Sequence, residues 1–232
     1  MIINKDSLIE GLIIPIFKPL NWTSFDVVKK LRGDFKKTFN LKKIKVGHAG
    51  TLDPLATGLL LICTGRKTKI IEDLQNLDKT YFATFDFGKT TPSFDRETGC
   101  DKNYPTDHIT KELIIKNLKY FQGKIKQKPP IYSALKFKGK RMYELARKGE
   151  TIDIQCREII IHEFNILNSN FPEFDFKIKC SKGTYIRSLA NDFGKKLKSG
   201  AYLKYLERYS IGEYNINNSF TIDSVSKLIS DQ

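Results

Sequence analysis

The sequence is poor in histidine, in cysteine and in long apolar runs, and each shortage removes a class of protein. Only three histidines occur in 232 residues, and His48, His108 and His162 lie in unrelated segments without metal-ligand spacing. The four cysteines, Cys63, Cys100, Cys156 and Cys180, stand far apart with no C-x-x-C. That pattern argues against a zinc site and against a disulfide framework, and it suits a reducing, cytoplasmic setting. No apolar stretch approaches membrane-spanning length. The N-terminus carries Asp6 and Glu10 ahead of a short apolar run broken by Pro15, which is not the pattern of a signal peptide. Internal repeats, low-complexity tracts and clear linkers are also missing, so a single domain over residues 1–232 is expected.

What is present is enough for a core: 40% of residues are apolar and 12% aromatic. Forty Lys and Arg against 26 Asp and Glu leave a formal charge of +14. Composition alone fits a generally basic soluble protein as well as one with a polyanionic partner, since clustered cations release counterions from nucleic acid. A membrane surface is the weaker third choice.

One stretch stands apart, VGHAGTLDPLATGLLLICTGR, from Val46 to Arg66. Gly47 and Gly50 predict a turn around His48, because glycine tolerates positive φ and close backbone approach. Pro54 fixes its own φ and drives Asp53 out of the helical region. Asp53 is therefore expected on a stiff, extended piece of loop before the apolar run Leu59–Cys63. An Asp-Pro pair alone reads as an ordinary turn. Here His48, Thr51, Asp53 and Thr57 crowd into ten residues between basic flanks, Lys42, Lys43 and Lys45 before and Arg66, Lys67 and Lys69 after.

Elsewhere the periodicities predict a mixed set of elements. Residues 11–20 read as a short buried strand kept at an edge by its prolines. Ser24 is the expected cap of a helix whose apolar stripe is Phe25, Val28, Leu31 and Phe35. Lys79–Phe87 reads as a strand with Tyr81, Ala83, Phe85 and Phe87 on one face. A polar loop over 88–106 precedes a helix over about 111–121, ended by Gly123. Lys124–Thr151 is basic, proline-led and rich in tyrosine, and is expected to leave the core. Strands follow over 157–167 and 174–180, the second alternating strictly. A helix carries Ile186, Leu189, Ala190, Phe193 and Leu197, then a last strand region, and Thr221–Gln232 closes as a short helix. The irregular interleaving favours α+β with a mixed sheet.

These residues also carry a resemblance. GHAGTLDPLATGLL resembles the signature of the TruB-type tRNA pseudouridine synthases. FKPLNWTSFDVV, KTYFA, QKPPIYSALKFKGKRMYELARKG and CSKGTYIRSLANDFG resemble that family's other motifs, in family order, from about residue 11 to residue 212. The resemblance implies a pseudouridine synthase fold, a central mixed, largely antiparallel β-sheet flanked by helices and loops. It implies isomerisation of uridine 55 in the T-loop (the TΨC arm) of tRNA, without metal or organic cofactor, and an RNA-gripping insert at about residues 124–151. Members usually continue into a C-terminal RNA-binding, PUA-like domain; little follows Tyr214, so that domain is expected to be absent. A monomer is expected.

The chemistry explains the residue types. The N1–C1′ bond breaks, the uracil turns, and it rejoins through C5. A carboxylate can hold the base at C6 or the sugar at C1′, and the sequence leaves both open. Asp53 is the candidate nucleophile. A buried carboxylate needs a cation to stay ionised, and the resemblance assigns that place to Arg187. The target base must be flipped from its stack. By resemblance Tyr81 stacks on it, with a hydroxyl available as a base for the C5 proton, Tyr185 lines the other side, Leu206 adds an apolar contact, and His48 wedges into the T-loop in place of the flipped base. On the residues alone Tyr81 and Leu206 read equally as core, His48 as a satisfied turn residue and Arg187 as a solvated helix arginine. A magnesium-dependent aspartyl phosphatase is rejected, since Leu55 fills its second acid position. A non-catalytic RNA-binding or tRNA-folding protein is the rival reading.

Overall fold

The computed structural model describes residues 2–133, 135–137, 139–150 and 153–230. In chain order the first elements are α1 (Lys5–Glu10), β1 (Ile13–Lys18), α2 (Ser24–Thr38), β2 (Val46–Ala49), β3 (Thr57–Thr64), α3 (Ile71–Asn76) and β4 (Lys79–Phe87). Then come β5 (Lys89–Thr90), β6 (Lys102–Asn103), α4 (Lys111–Leu118), β7 (Gly123–Gln127), β8 (Lys136–Phe137), β9 (Lys140–Arg141) and α5 (Met142–Ala146). The chain ends with β10 (Arg157–Asn170), β11 (Glu173–Cys180), α6 (Ile186–Lys196), β12 (Ala201–Ile211), β13 (Tyr214–Asn215) and α7 (Ile222–Ser230). The fold is α+β with a mixed, largely antiparallel sheet, as expected. Thr151 and Gln232, which bound the expected insert and the closing helix, lie outside the described residues.

The chain divides into two compact units, Met1–Tyr81 with Leu206–Gln232, and Phe82–Tyr205. Strands β4 and β12 each give residues to both.

In the first unit β3 pairs antiparallel with β1 and β2, and parallel with β12 through Glu207–Thr57 and Arg208–Gly58. Every residue of β3 is buried, which is why it reads as an unbroken apolar run. Its residues serve two clusters. Leu60 and Ile62 join Ile14, Ile16, Leu31, Phe35 and Val225 from β1, α2 and α7. Leu59, Leu61 and Cys63 pack with Ala49, Leu74 and Ile211. Strand β1 ends the sheet, where Pro15 costs no shared ladder.

Three expectations change here. Thr23, not Ser24, caps α2: its Oγ1 accepts from Asp26 N at 3.0 Å, while Asp26 Oδ2 accepts from Thr23 N at 2.9 Å. This reciprocal box leaves the Ser24 hydroxyl for another task. Phe25 is 59% exposed, and Val27 takes its expected place in the core. His48 lies in strand β2 opposite Ile62, not in a turn; Gly50, at φ 93°, turns the chain instead.

In the second unit β11 pairs antiparallel with β10, and β10 with β7. The strict alternation of β11 holds, with Phe174, Phe176, Ile178 and Cys180 buried. Their rings meet Phe85, Phe164 and Phe193 at centroid distances of 4.7 Å for Phe85–Phe176 and 5.0 Å for Phe164–Phe176, geometry that adds to simple burial. The predicted stripe of α6 is buried throughout. Lys124–Gln127, expected to leave the core, instead forms β7 against β10; Gln127 is buried and Ile125 partly so, and the basic side chains between them point outward. The departure from the sheet begins after Gln127.

Candidate active site

The residues flanking Asp53 are fixed through their backbone. Leu52 N donates to Ser24 Oγ at 2.8 Å, and Ser24 Oγ donates to Leu52 O at 3.2 Å. Pro54 O accepts from Asn21 N at 2.8 Å and from Lys18 Nζ at 3.5 Å. Asp53 O accepts from Ala56 N at 3.1 Å. The Arg208 guanidinium donates to Gly50 O at 3.0 Å, Thr51 O at 3.4 Å and Leu59 O at 2.8 Å. A half-buried carboxylate thus stands on a loop whose neighbours are held on both sides.

Two fully buried cations, Lys18 and Arg208, lie beneath this loop. Burial brings the Lys18 ammonium down to about 8, while the nearby Asp53 charge pulls it back up and Arg208 lowers it further. Lys18 meets its remaining donors with Trp22 O at 2.6 Å and Pro19 O at 2.8 Å. Burial likewise lowers Arg208, opposed by Tyr81 and then Asp53. His48 is lowered by burial and by the Arg208 charge, against a hydrogen bond to the Gly50 backbone, so its imidazole is neutral at pH 7. Tyr81 is buried on β4, and its hydroxyl is hydrogen-bonded to the Arg208 guanidinium. Leu206 is buried two residues before Arg208, on the same face of β12, and its carbonyl accepts from Thr57 Oγ1 at 3.5 Å. The first unit therefore brings together His48, Asp53, Tyr81 and Leu206.

Arg187 and Tyr185 belong to the second unit. Arg187, in the first turn of α6 and buried, places Nε 3.4 Å from Asp95 Oδ2 and donates from Nη1 to Ser93 O at 3.2 Å. Asp95 is itself buried, and Asp95 Oδ1 accepts from Glu97 N at 2.9 Å. Tyr185 caps α6. Its N–H donates to Gln127 Oε1 at 2.8 Å, and Gln127 Nε2 returns a bond to Tyr185 O at 3.0 Å. The Arg157 guanidinium lies over the Tyr185 ring, 4.6 Å from its centroid. In the insert, Arg147 pairs with Glu97 at 2.8 Å.

Sequence reasoning missed Lys18, Asp95 and Arg208. Lysine, aspartate and arginine normally mark solvated positions, and only the pleat of β12, with Leu206 and Arg208 on one face, carried a signal. Among the described residues no group of three or more His, Cys, Asp or Glu is placed to hold a metal ion, and no helix is long and apolar enough to cross a membrane.

Comparison with known proteins bears on this site. The family described as TruB family pseudouridylate synthase (N terminal domain) matches residues 36–186. A Flavobacterium johnsoniae protein named tRNA pseudouridine synthase B is 53% identical over 218 residues, 94% of this chain and 95% of its own. The Phocaeicola vulgatus protein of the same name is 49% identical over 96% of this chain and 95% of its own. Among solved structures, a chain of a Cbf5–Nop10–Gar1 complex aligns over 96% of this chain with a TM-score of 0.70 and 26% identity. This chain spans 55% of that one.

Proposed function

The chain belongs to the TruB family of pseudouridylate synthases, and from that premise we propose that it isomerises uridine 55 in the T-loop of tRNA to pseudouridine. The observation that carries this reading is the clamped Asp53 loop with Tyr81 and Leu206 in the same unit. Asp53 is the nucleophile, at C6 or at C1′. Lys18 and Arg208 place two buried positive charges near the Asp53 carboxylate. Tyr81 stacks on the flipped uracil, with its hydroxyl available to the C5 proton, and Leu206 gives an apolar contact. A neutral His48 enters the space the base vacates without attracting the phosphates, which suits a wedge. By the family resemblance Arg187 is the cation partner of Asp53 and Tyr185 lines the target base; within its own unit Arg187 is held by Asp95. The basic, tyrosine-bearing segment up to residue 150 grips the RNA. The enzyme works as a monomer in the cytoplasm and needs no metal.

The test is incubation with an unmodified tRNA transcript in the presence of EDTA, followed by chemical mapping of pseudouridine. Product at position 55 alone is expected. Absence of product, with tRNA still bound, would favour the RNA-binding reading.

A further inference from the structure

Arg208 has a position that packing does not require. It is 1% exposed, in a strand whose other inward residues are apolar, and burying a cation is costly unless its donors are met and its charge is used. Its donors go to three carbonyl oxygens, Gly50, Thr51 and Leu59, and to the Tyr81 hydroxyl. Two of those carbonyls lie just ahead of Asp53.

The surrounding chain makes room for it. Gly58 pairs in register with Arg208 at φ 105°, and a Cβ there would lie 2.4 Å from the Arg208 carbonyl oxygen and 2.7 Å from its nitrogen. No other residue type lets the two strands come this close. The guanidinium is planar, with donors in a fixed fork, and no ammonium reproduces four such directions.

We propose that Arg208 is a positioning residue for the reaction, one buried fork that fixes the backbone carrying Asp53 and orients the Tyr81 hydroxyl toward the target nucleotide. This rests on the pseudouridine synthase reading above. A charge-assisted bond into the phenol oxygen stabilises negative charge there, so the same contact that aims Tyr81 also favours its ionised form, the one that can take a proton.

The experiment is a double-mutant cycle with the full chain and a tRNA transcript, following single-turnover pseudouridine formation for wild type, Arg208→Lys, Tyr81→Phe and the double variant, with thermal melts for each. Arg208→Lys should lower the single-turnover rate at saturating tRNA by about 30-fold or more with the half-saturating tRNA concentration within about threefold; its loss should shrink by about fivefold or more once Tyr81 is Phe, the part that remains coming from the Asp53 loop. Losses that multiply in full, or a change carried by the half-saturating concentration alone, overturn the proposal. Should Arg208→Lys fail to fold, Arg208→Gln, which keeps two amide donors, enters the same cycle; if that also fails to fold, Arg208 is structural and the proposal falls. An inactive wild type would instead remove the functional reading itself.

Discussion

At the scale of the residue, Asp53 and Lys18 give opposite kinds of prediction. Asp53→Asn keeps size and loop geometry but removes the proposed nucleophile, so pseudouridine formation should fall to background while tRNA affinity stays within about threefold. Parallel loss of binding, read by filter retention, would make Asp53 a structural residue. Lys18 predicts a pH effect. Its folded pKa, about 8, lies below the value of a solvated lysine. Between the two values the unfolded chain therefore binds more protons than the folded one, and this group's contribution to stability rises with pH across that window. Relative to Lys18→Met, the wild type should gain on the order of 1–2 kcal/mol between about pH 7.5 and pH 10, measured by urea unfolding. A constant difference across that range would show that Lys18 is not depressed.

At the scale of the element, the start of α2 separates folding from function in two adjacent side chains. Thr23→Ala removes the capping box and should cost about 1 kcal/mol, a drop of roughly 2–4 °C in Tm, with kcat unchanged. Ser24→Ala strips the Leu52 backbone of both its bonds to the Ser24 hydroxyl, so it should cost about 1–3 kcal/mol and also slow the reaction as the loop beside Asp53 loosens. Equal effects of the two on kcat would argue against the clamp. The same pair shows what a sequence can and cannot tell. The helix was legible from its 3.6-residue stripe, yet the choice of cap was not, because Thr23 and Ser24 are chemically equivalent until Asp26 selects one. Strand β11 was legible because every second residue is apolar and buried. The role of Ser24 was hidden because its partner is 28 residues away. The loop placement of Asp53 was legible from Pro54 and the glycine near it, whereas Lys18, Asp95 and Arg208 look in sequence like the many other charges that face water. Strand β7 was hidden for a similar reason, since only one side of it is buried and its lysines dominate the composition.

At the scale of the whole molecule the charge of +14 sets how binding responds to salt. If Lys140, Arg141 and Lys148, all exposed, touch phosphates, tRNA affinity should fall linearly in log–log form with salt. Replacing all three by alanine should flatten the slope by about 2–3, roughly one for each phosphate no longer neutralised, while leaving kcat at saturating tRNA little changed. An unaltered slope would remove this segment from the RNA interface.

The bond from Arg208 to the Gly50 carbonyl spans 158 residues, and the unit that contains both is assembled from the two ends of the chain. On the ribosome the loop bearing Asp53 emerges early and must wait, without its Arg208 bonds, while all of Phe82–Tyr205 is synthesised. The Arg208 contacts can therefore form only after those residues are made, and a nascent chain halted before Arg208 holds the Asp53 loop by its bonds to Ser24, Asn21 and Lys18 alone.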